Sequence, residues 1–439
     1  MKVIKKLLVL LPLTALLAGC NTGNSTDHSA LPGGGEAKEI IFGSEEDRKE
    51  LADGVEAFAS KVMSSSTFEL SSKGSYGFKV DVEELKVPVS GGVETFKGKV
   101  AIEDVEGELK AGVSLKDDKL AAYLTGSGSG SLEVGYELPD SVWGQIPQEV
   151  KDYGLLQKNS ESFKASDLGV DAYVKDGKVY VNADKQGNRK LVEDVLSTKL
   201  IDVKKMAKEM GGIEDISKMI SDMSLKYVFE NVVPEKYSLP FPSIPEGYIS
   251  NMIVSALAMI NNPGEEYKEY VDMAKDIIST LTLKTYVYSK DSGYSYGFEF
   301  GVENMEQVDS VYSKVISYIP SSSSGRLPSK LSEFLKGYGF DFTKFSFHVG
   351  FAFGVDGKLF FGANEDIEVK IDFSYPVEEG KSVSLKGEYG LSADLGVELT
   401  ASDADISSKI PSNSELAKFE HFALPVGGAK NSDSGVESR

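Results

Sequence analysis

The sequence predicts an α+β fold: a long, curved, mostly antiparallel β-sheet packed against a central helical block. Three observations carry this expectation. Apolar and polar residues alternate over long runs in two regions, roughly 68–185 and 282–400. Between about Lys190 and Leu281 the apolar spacing changes to three and four. The strand faces are half apolar and half polar, which suits an antiparallel sheet wetted on one side, and strands this long must twist.

Ser44 with Asp47 forms a capping-box-like helix start, and Leu51, Val55, Phe58 and Val62 then make one apolar stripe. From about Phe68 the period is two. Tyr76, Phe78, Val80 and Val82 share one face; Leu109, Ala111, Val113 and Leu115 repeat the pattern. The stretch "TGSGSGSLEVGYELP" has the composition of a flexible linker. Its parity argues otherwise: Leu120, Ala122, Leu124, Leu132, Val134, Tyr136 and Leu138 are in phase, and Gly126, Gly128 and Gly130 hold that phase between them. A long bent strand, with glycines where something approaches closely, accounts for this. Asp176-Gly177 is a type I′ turn pairing Tyr173 with Tyr180 and Val174 with Val179.

The helical block starts with Leu191, Val192, Val195 and Leu196 and is broken by the Pro-rich "SLPFPSIPEG". "YISNMIVSALAMI" is apolar nearly all round, which predicts a buried helix. Seven of the ten methionines fall between Met206 and Met273, a pattern that suits either an adaptable apolar surface or an ordinary core. Leu283 begins a further hairpin, and residues 303–319 form a helix. The Phe345–Val355 strand, the Asp356-Gly357 turn and two long alternating strands follow.

The N-terminus has a different character. "MKVIKK" is basic, an apolar run from Leu7 to Leu17 follows, and Ala18 and Gly19 precede Cys20, the chain's one cysteine. Eleven residues at 1.5 Å each span only about 17 Å, too short for a roughly 30 Å hydrocarbon core, so the segment reads as a secretory leader. Leu17-Ala18-Gly19-Cys20 resembles the lipobox of bacterial lipoproteins. The resemblance implies cleavage between Gly19 and Cys20 and lipidation of the Cys20 thiol. It also implies a place in the cell envelope, outside the cytoplasm. Asn21, where an Asp would favour inner-membrane retention, points to the outer membrane in an organism that has one. The expected organisation is a signal peptide at 1–19, an acylated cysteine and flexible tether at 20–43, a folded body at 44–426, and a disordered tail at 427–439.

Composition narrows the function. A formal net charge of −21 disfavours nucleic acid as a partner, because phosphate binding needs the opposite sign. No H-E-x-x-H, G-x-S-x-G or G-x-x-x-x-G-K-[ST] pattern occurs. The histidines are His28, His348 and His421; of these His348, on the small-residue face of its strand, is the candidate base, although a polar strand position explains it as well. Asn182, Asp184, Gln186, Gly187, Asn188 and Glu193 fall at calcium-loop spacing. Asn182 stands where Asp belongs, however, and Arg189 replaces the apolar anchor, so a strand-to-helix turn is the simpler reading. Asp403 and Asp405 read as surface acids. No cofactor, metal or catalytic residue is expected.

A curved sheet closed by helices leaves an apolar cavity. On a lipid anchor, that arrangement is similar in architecture to carrier lipoproteins of the LolA and LppX kind, which implies a non-enzymatic protein holding a lipid or another hydrophobic ligand. The alternative is a surface-displayed adhesion or scaffold lipoprotein without a small-molecule ligand.

Overall fold

The computed structural model describes residues 30–421 apart from 42, 90, 117–118, 153–154, 198–201, 203, 206–207, 210–217, 219–223, 231–244, 319–326 and 379. Thirteen strands among these residues form one sheet. In chain order they are β1 (Gly35–Ala37), β2 (Thr67–Val89), β3 (Gly92–Lys116), β4 (Lys119–Glu137), β5 (Lys158–Lys175), β6 (Lys178–Asn182), β7 (Lys226–Phe229), β8 (Thr282–Tyr288), β9 (Tyr296–Val302), β10 (Phe340–Phe353), β11 (Lys358–Glu378), β12 (Lys381–Ser402) and β13 (Glu420–His421). Their order across the sheet is β1-β8-β9-β10-β11-β12-β2-β3-β4-β5-β6-β7-β13. The two β-rich regions therefore do not form separate blocks. β12 lies antiparallel to β2 from Ser402↔Thr67 to Ser384↔Lys86 and makes them one surface. Every pairing is antiparallel except that of β13 with β7.

The fold is thus α+β with a curved sheet. Curvature is introduced by bulges aligned across neighbouring strands. β3 carries an extra residue around Asp104, and β5 carries one around Asp167, each opposite the Gly128–Gly130 stretch of β4. Both aspartates adopt positive φ, at 53° and 55°. Such an extra residue bends its strand and increases the local twist. The Gly/Ser run is accordingly the middle of a 19-residue strand, as its parity predicts. A Cβ on Gly130 would lie 2.8 Å from Val105 Cγ2, so glycine is required there for the strands to close.

The predicted hairpin register holds residue for residue, with Lys175↔Lys178, Tyr173↔Tyr180 and Val174↔Val179. Asp176 and Gly177 have φ of 51° and 74°, as a type I′ turn demands. Helix α1 (Glu45–Ser64) begins on the predicted capping box: Ser44 Oγ accepts from the Asp47 N–H at 3.1 Å, and Asp47 Oδ2 accepts from the Ser44 N–H at 3.1 Å.

The remaining helices among the described residues are α2 (Asp140–Gln145), α3 (Gln148–Lys151), α4 (Gln186–Leu196), α5 (Tyr248–Asn261), α6 (Glu265–Ile278), α7 (Met305–Ser317), α8 (Leu331–Gly337) and α9 (Asn413–Leu416). The helical block is only partly realised. α4, α5 and α6 lie in or beside it, but β7 interrupts it, because Tyr227 and Val228 pair with Val181 and Tyr180. Met206, Met210, Met219 and Met223 lie outside the described residues. α5 is also less buried than its composition predicts. Ile253, Leu257 and Ile260 enter the core, whereas Tyr248, Met252 and Met259 face outward.

The main core lies at one edge of the sheet. Leu51 and Ala52 of α1 and Ile253, Leu257 and Ile260 of α5 pack on Phe298 of β9 and Phe353 of β10. The expected tether also ends earlier than residue 43. Ala30 and Leu31 are buried, β1 adds to the edge strand β8, and Ile40 and Ile41 enter the α1 core. The chain thus wraps this edge from one face of the sheet to the other.

Candidate ligand-binding face

The strand register places alternating apolar residues of seven consecutive strands on one face. Reading across one level, Phe351, Phe361, Val397, Ser72, Leu109, Gly126 and Val170 are mutual neighbours on β10, β11, β12, β2, β3, β4 and β5. The adjacent level reads Ala363, Leu395, Gly74, Gly107, Gly128 and Leu168. Three consecutive strands therefore carry no side chain at that level. Leucines bound the gap on both sides.

This bare row is the floor of a trough of about 710 Å³, whose walls include Tyr76, Val105, Leu109, Leu168, Val170 and Leu395. A second apolar recess of about 370 Å³ continues along the same face, over Phe68, Leu70, Val113, Leu124, Val174 and Leu399. Both volumes fall in or near the roughly 300–1,000 Å³ range of small-molecule sites. The helices α1 and α5 cover this face over β9 and β10, and α1 also reaches β12 near Ala401. Beyond them it is open, with Tyr76 41%, Leu109 37%, Leu395 40% and Phe361 42% exposed. An apolar patch this continuous is seldom left bare in a soluble monomer without a partner or ligand.

The rim is held by local chemistry. Gly187, at the start of α4, lets that helix approach the β5 bulge so closely that a Cβ would lie 1.9 Å from the Ser166 carbonyl oxygen. Asn188 then accepts from the Gly169 N–H at 3.1 Å and donates to the Gly169 and Ala183 carbonyls at 2.6 and 2.8 Å. Asp184 binds Arg189 at 2.8 Å and Lys226 at 3.3 Å. The residues at calcium-loop spacing are thus engaged in a strand-to-helix turn. Among the described residues, no group of three His, Cys, Asp or Glu side chains converges to hold a metal ion.

The opposite face is polar and laced with cross-strand pairs such as Lys99–Glu133 at 2.6 Å and Lys79–Glu388 at 3.1 Å. A C-terminal segment covers part of it. Ile406, Ile410 and Leu416 bury Tyr123 and Tyr173, and Tyr123 Oη donates to Glu69 at 2.7 Å. Burial pushes the Glu69 carboxyl up, but hydrogen bonds from Lys409 and Tyr123 outweigh it and leave the group below its ordinary value. The alternation rule missed this cover. Its signal was the Ser412–Glu415 capping box beside irregularly spaced apolar residues.

His348 also lies on this polar face, fully buried, with Nδ1 3.5 Å from Glu299 Oε1 and Nε2 3.3 Å from Glu303 Oε2. Gly301 opposite makes room for the ring, since a Cβ there would be 2.5 Å from Nδ1. Glu299 is raised by burial, yet the nearby His348 ring and a hydrogen bond from Tyr286 bring it below its ordinary value, while neither ring nitrogen of His348 makes a hydrogen bond. Two carboxylates flanking a buried imidazole, away from the trough, make a structural cluster. Asp405 accepts from the N–H and hydroxyl of Ser407 two residues on, as a turn-forming acid does, whereas Asp403 accepts from those of Ser66 and ties the end of β12 to the start of β2. Gly19 and Cys20 lie outside the described residues. Among the described residues, no helix is long and apolar enough to cross a membrane.

No known protein family matches the sequence, and a search of curated proteins finds no significant relative.

Proposed function

We propose that this chain is a bacterial lipoprotein, anchored through acylated Cys20, whose open apolar sheet face holds a lipid or another hydrophobic ligand without chemical turnover. The observation that carries the reading is the glycine row Gly74–Gly107–Gly128 between Leu395 and Leu168. Gly74 is held as glycine by the Asp394 carbonyl oxygen, which a Cβ would approach to 2.7 Å, and Gly128 is tight at 3.1 Å from the Glu106 carbonyl oxygen. Gly107 has ordinary room for a side chain, however, and unfilled apolar space above the row forfeits dispersion contacts. A long acyl chain lying over the row would supply those contacts. Between β11 and β5 the face is about 24 Å wide at roughly 4.8 Å per strand, wide enough for an extended chain.

The anchor fits this reading. Each buried methylene contributes roughly 0.8 kcal/mol, so two or more fatty chains hold the body at a bilayer surface where lipid is supplied. Mass spectrometry of protein purified under native conditions tests the proposal. Near-stoichiometric lipid supports it. A ligand-free trough under the same conditions removes it and favours the adhesion or scaffold alternative.

A further inference from the structure

We propose that the far end of the long strands is a bilayer-contacting edge through which the trough exchanges its ligand. This inference rests on the anchored, lipid-holding reading above. The antiparallel register brings together at one end of the sheet the β2–β3 hairpin tip, the β11–β12 hairpin tip and the α2–α3 segment that joins β4 to β5. Each contributes apolar side chains pointing to solvent: Val93 is 61% and Tyr375 59% exposed, and Val89, Val377 and Leu156 are exposed beside them. Hairpin tips are ordinarily the most polar part of a sheet. Two adjacent tips and a neighbouring helical segment that expose apolar side chains mark a surface for an apolar partner.

Two further observations select a lipid bilayer as that partner. The edge is continuous with the trough face, since Leu85, Phe96, Leu385 and Phe373 extend the same register toward the tips. The leash is shorter than the strands' own reach and permits contact when the body tilts. Ala30 lies against Gly362, thirteen residues or about 43 Å along β11 from Tyr375, while the ten steps from Cys20 to Ala30 extend to about 35 Å. An anchored body can therefore lean over and lay its tips on the membrane that holds it.

The chain's one tryptophan, Trp143, sits in α2 at this edge, with Lys151 Nζ 4.7 Å from its ring centroid. Its fluorescence reads contact locally. The acylated full-length protein is reconstituted on phosphatidylcholine vesicles with brominated acyl chains, and flotation confirms that the anchor holds it there. The expected result is quenching and a blue shift of Trp143 emission, both lost in a Val93→Glu, Tyr375→Glu double variant that still floats. Both substitutions are at exposed positions, and an unchanged circular dichroism spectrum checks the fold. An unquenched wild-type protein, or equal quenching in the double variant, overturns the proposal. Lipid retained by the same preparations is measured separately by mass spectrometry. An empty trough with quenched Trp143 sinks the ligand reading, whereas a filled trough with unquenched Trp143 sinks the edge alone.

Discussion

Gly107 lies directly opposite Gly128 across β3 and β4, on the face of the sheet that carries the apolar residues. Gly128 is tight, since a Cβ there would lie 3.1 Å from the Glu106 carbonyl oxygen, but Gly107 and Gly126 have room. A Cβ on Gly107 would find its nearest atom, the Ser127 carbonyl oxygen, at 3.7 Å, and one on Gly126 would meet Leu109 Cδ1 at 3.5 Å. Both are ordinary contacts. Gly107→Leu and Gly126→Leu should therefore fold, place a side chain in the trough and abolish lipid co-purification. Native mass spectrometry together with thermal unfolding checks this; a folded Gly107→Leu protein that keeps its full lipid complement would exclude the trough as the site.

Gly187 is the contrasting glycine. Its hydrogen faces the Ser166 and Asp167 carbonyl oxygens, which a methyl group would approach to 1.9 and 2.4 Å. Backbone oxygens of a bulged strand cannot rotate aside as a side chain can. Gly187→Ala should cost about 1–3 kcal/mol through overpacking, against a small gain from helix propensity. Thermal unfolding should show a lower midpoint than wild type. Gly144→Ala, with nothing within 4 Å of its Cβ, should show no loss.

The elements legible in the sequence are those whose determinants are local. The Ser44–Asp47 box, the Asp176-Gly177 turn and the phase of Gly126, Gly128 and Gly130 each lie within a few residues of what they specify. The union of β12 with β2 joins residues more than three hundred positions apart, such as Leu399 and Leu70, and no spacing rule reaches across that distance. β7 is four residues long, too short for a period, and is a strand because Val179–Asn182 offer it an edge. The apolar face was legible as alternation, but its bare row was not. That Gly74, Gly107 and Gly128 align follows from register, which the bulges at Asp104 and Asp167 adjust.

Ile406 tests the cover on the polar face. It is fully buried against Tyr123 and Tyr173, in a segment tied down by Lys409 on Glu69. Ile406→Ala should cost about 2–5 kcal/mol as a large-to-small core change. Limited proteolysis should then cut the chain after β12 sooner than in wild type. An unchanged cleavage pattern would show that the C-terminal segment is held by something other than this cluster.

Cys20→Ser tests the anchor. An alcohol oxygen replaces the thiolate that would accept the lipid, so the variant should lack the acyl mass and keep an unprocessed leader, seen by mass spectrometry. A variant chain without its leader that still sediments with vesicles would mean that the body itself, through its apolar edge or face, suffices for attachment.

Asp47 provides a pH-dependent test of the α1 start. The Lys38 ammonium, 2.5 Å away, and hydrogen bonds from Ser44 hold its carboxyl at about 2, below the ordinary 3.8. A depressed carboxylate binds protons less readily in the folded chain than in the unfolded one, so folding gains from the ionised form. That gain is complete above the ordinary value and disappears as the pH falls through about 2. Asp47→Asn removes the charge and the reciprocal ion pair while keeping a side chain of the same shape. Urea midpoints should then differ between wild type and variant at neutral pH and converge in strong acid. A difference that stays constant across that range would mean that Asp47 acts through packing and hydrogen bonding alone, and that Lys38, which leads from β1 toward α1, does not depend on it for its position.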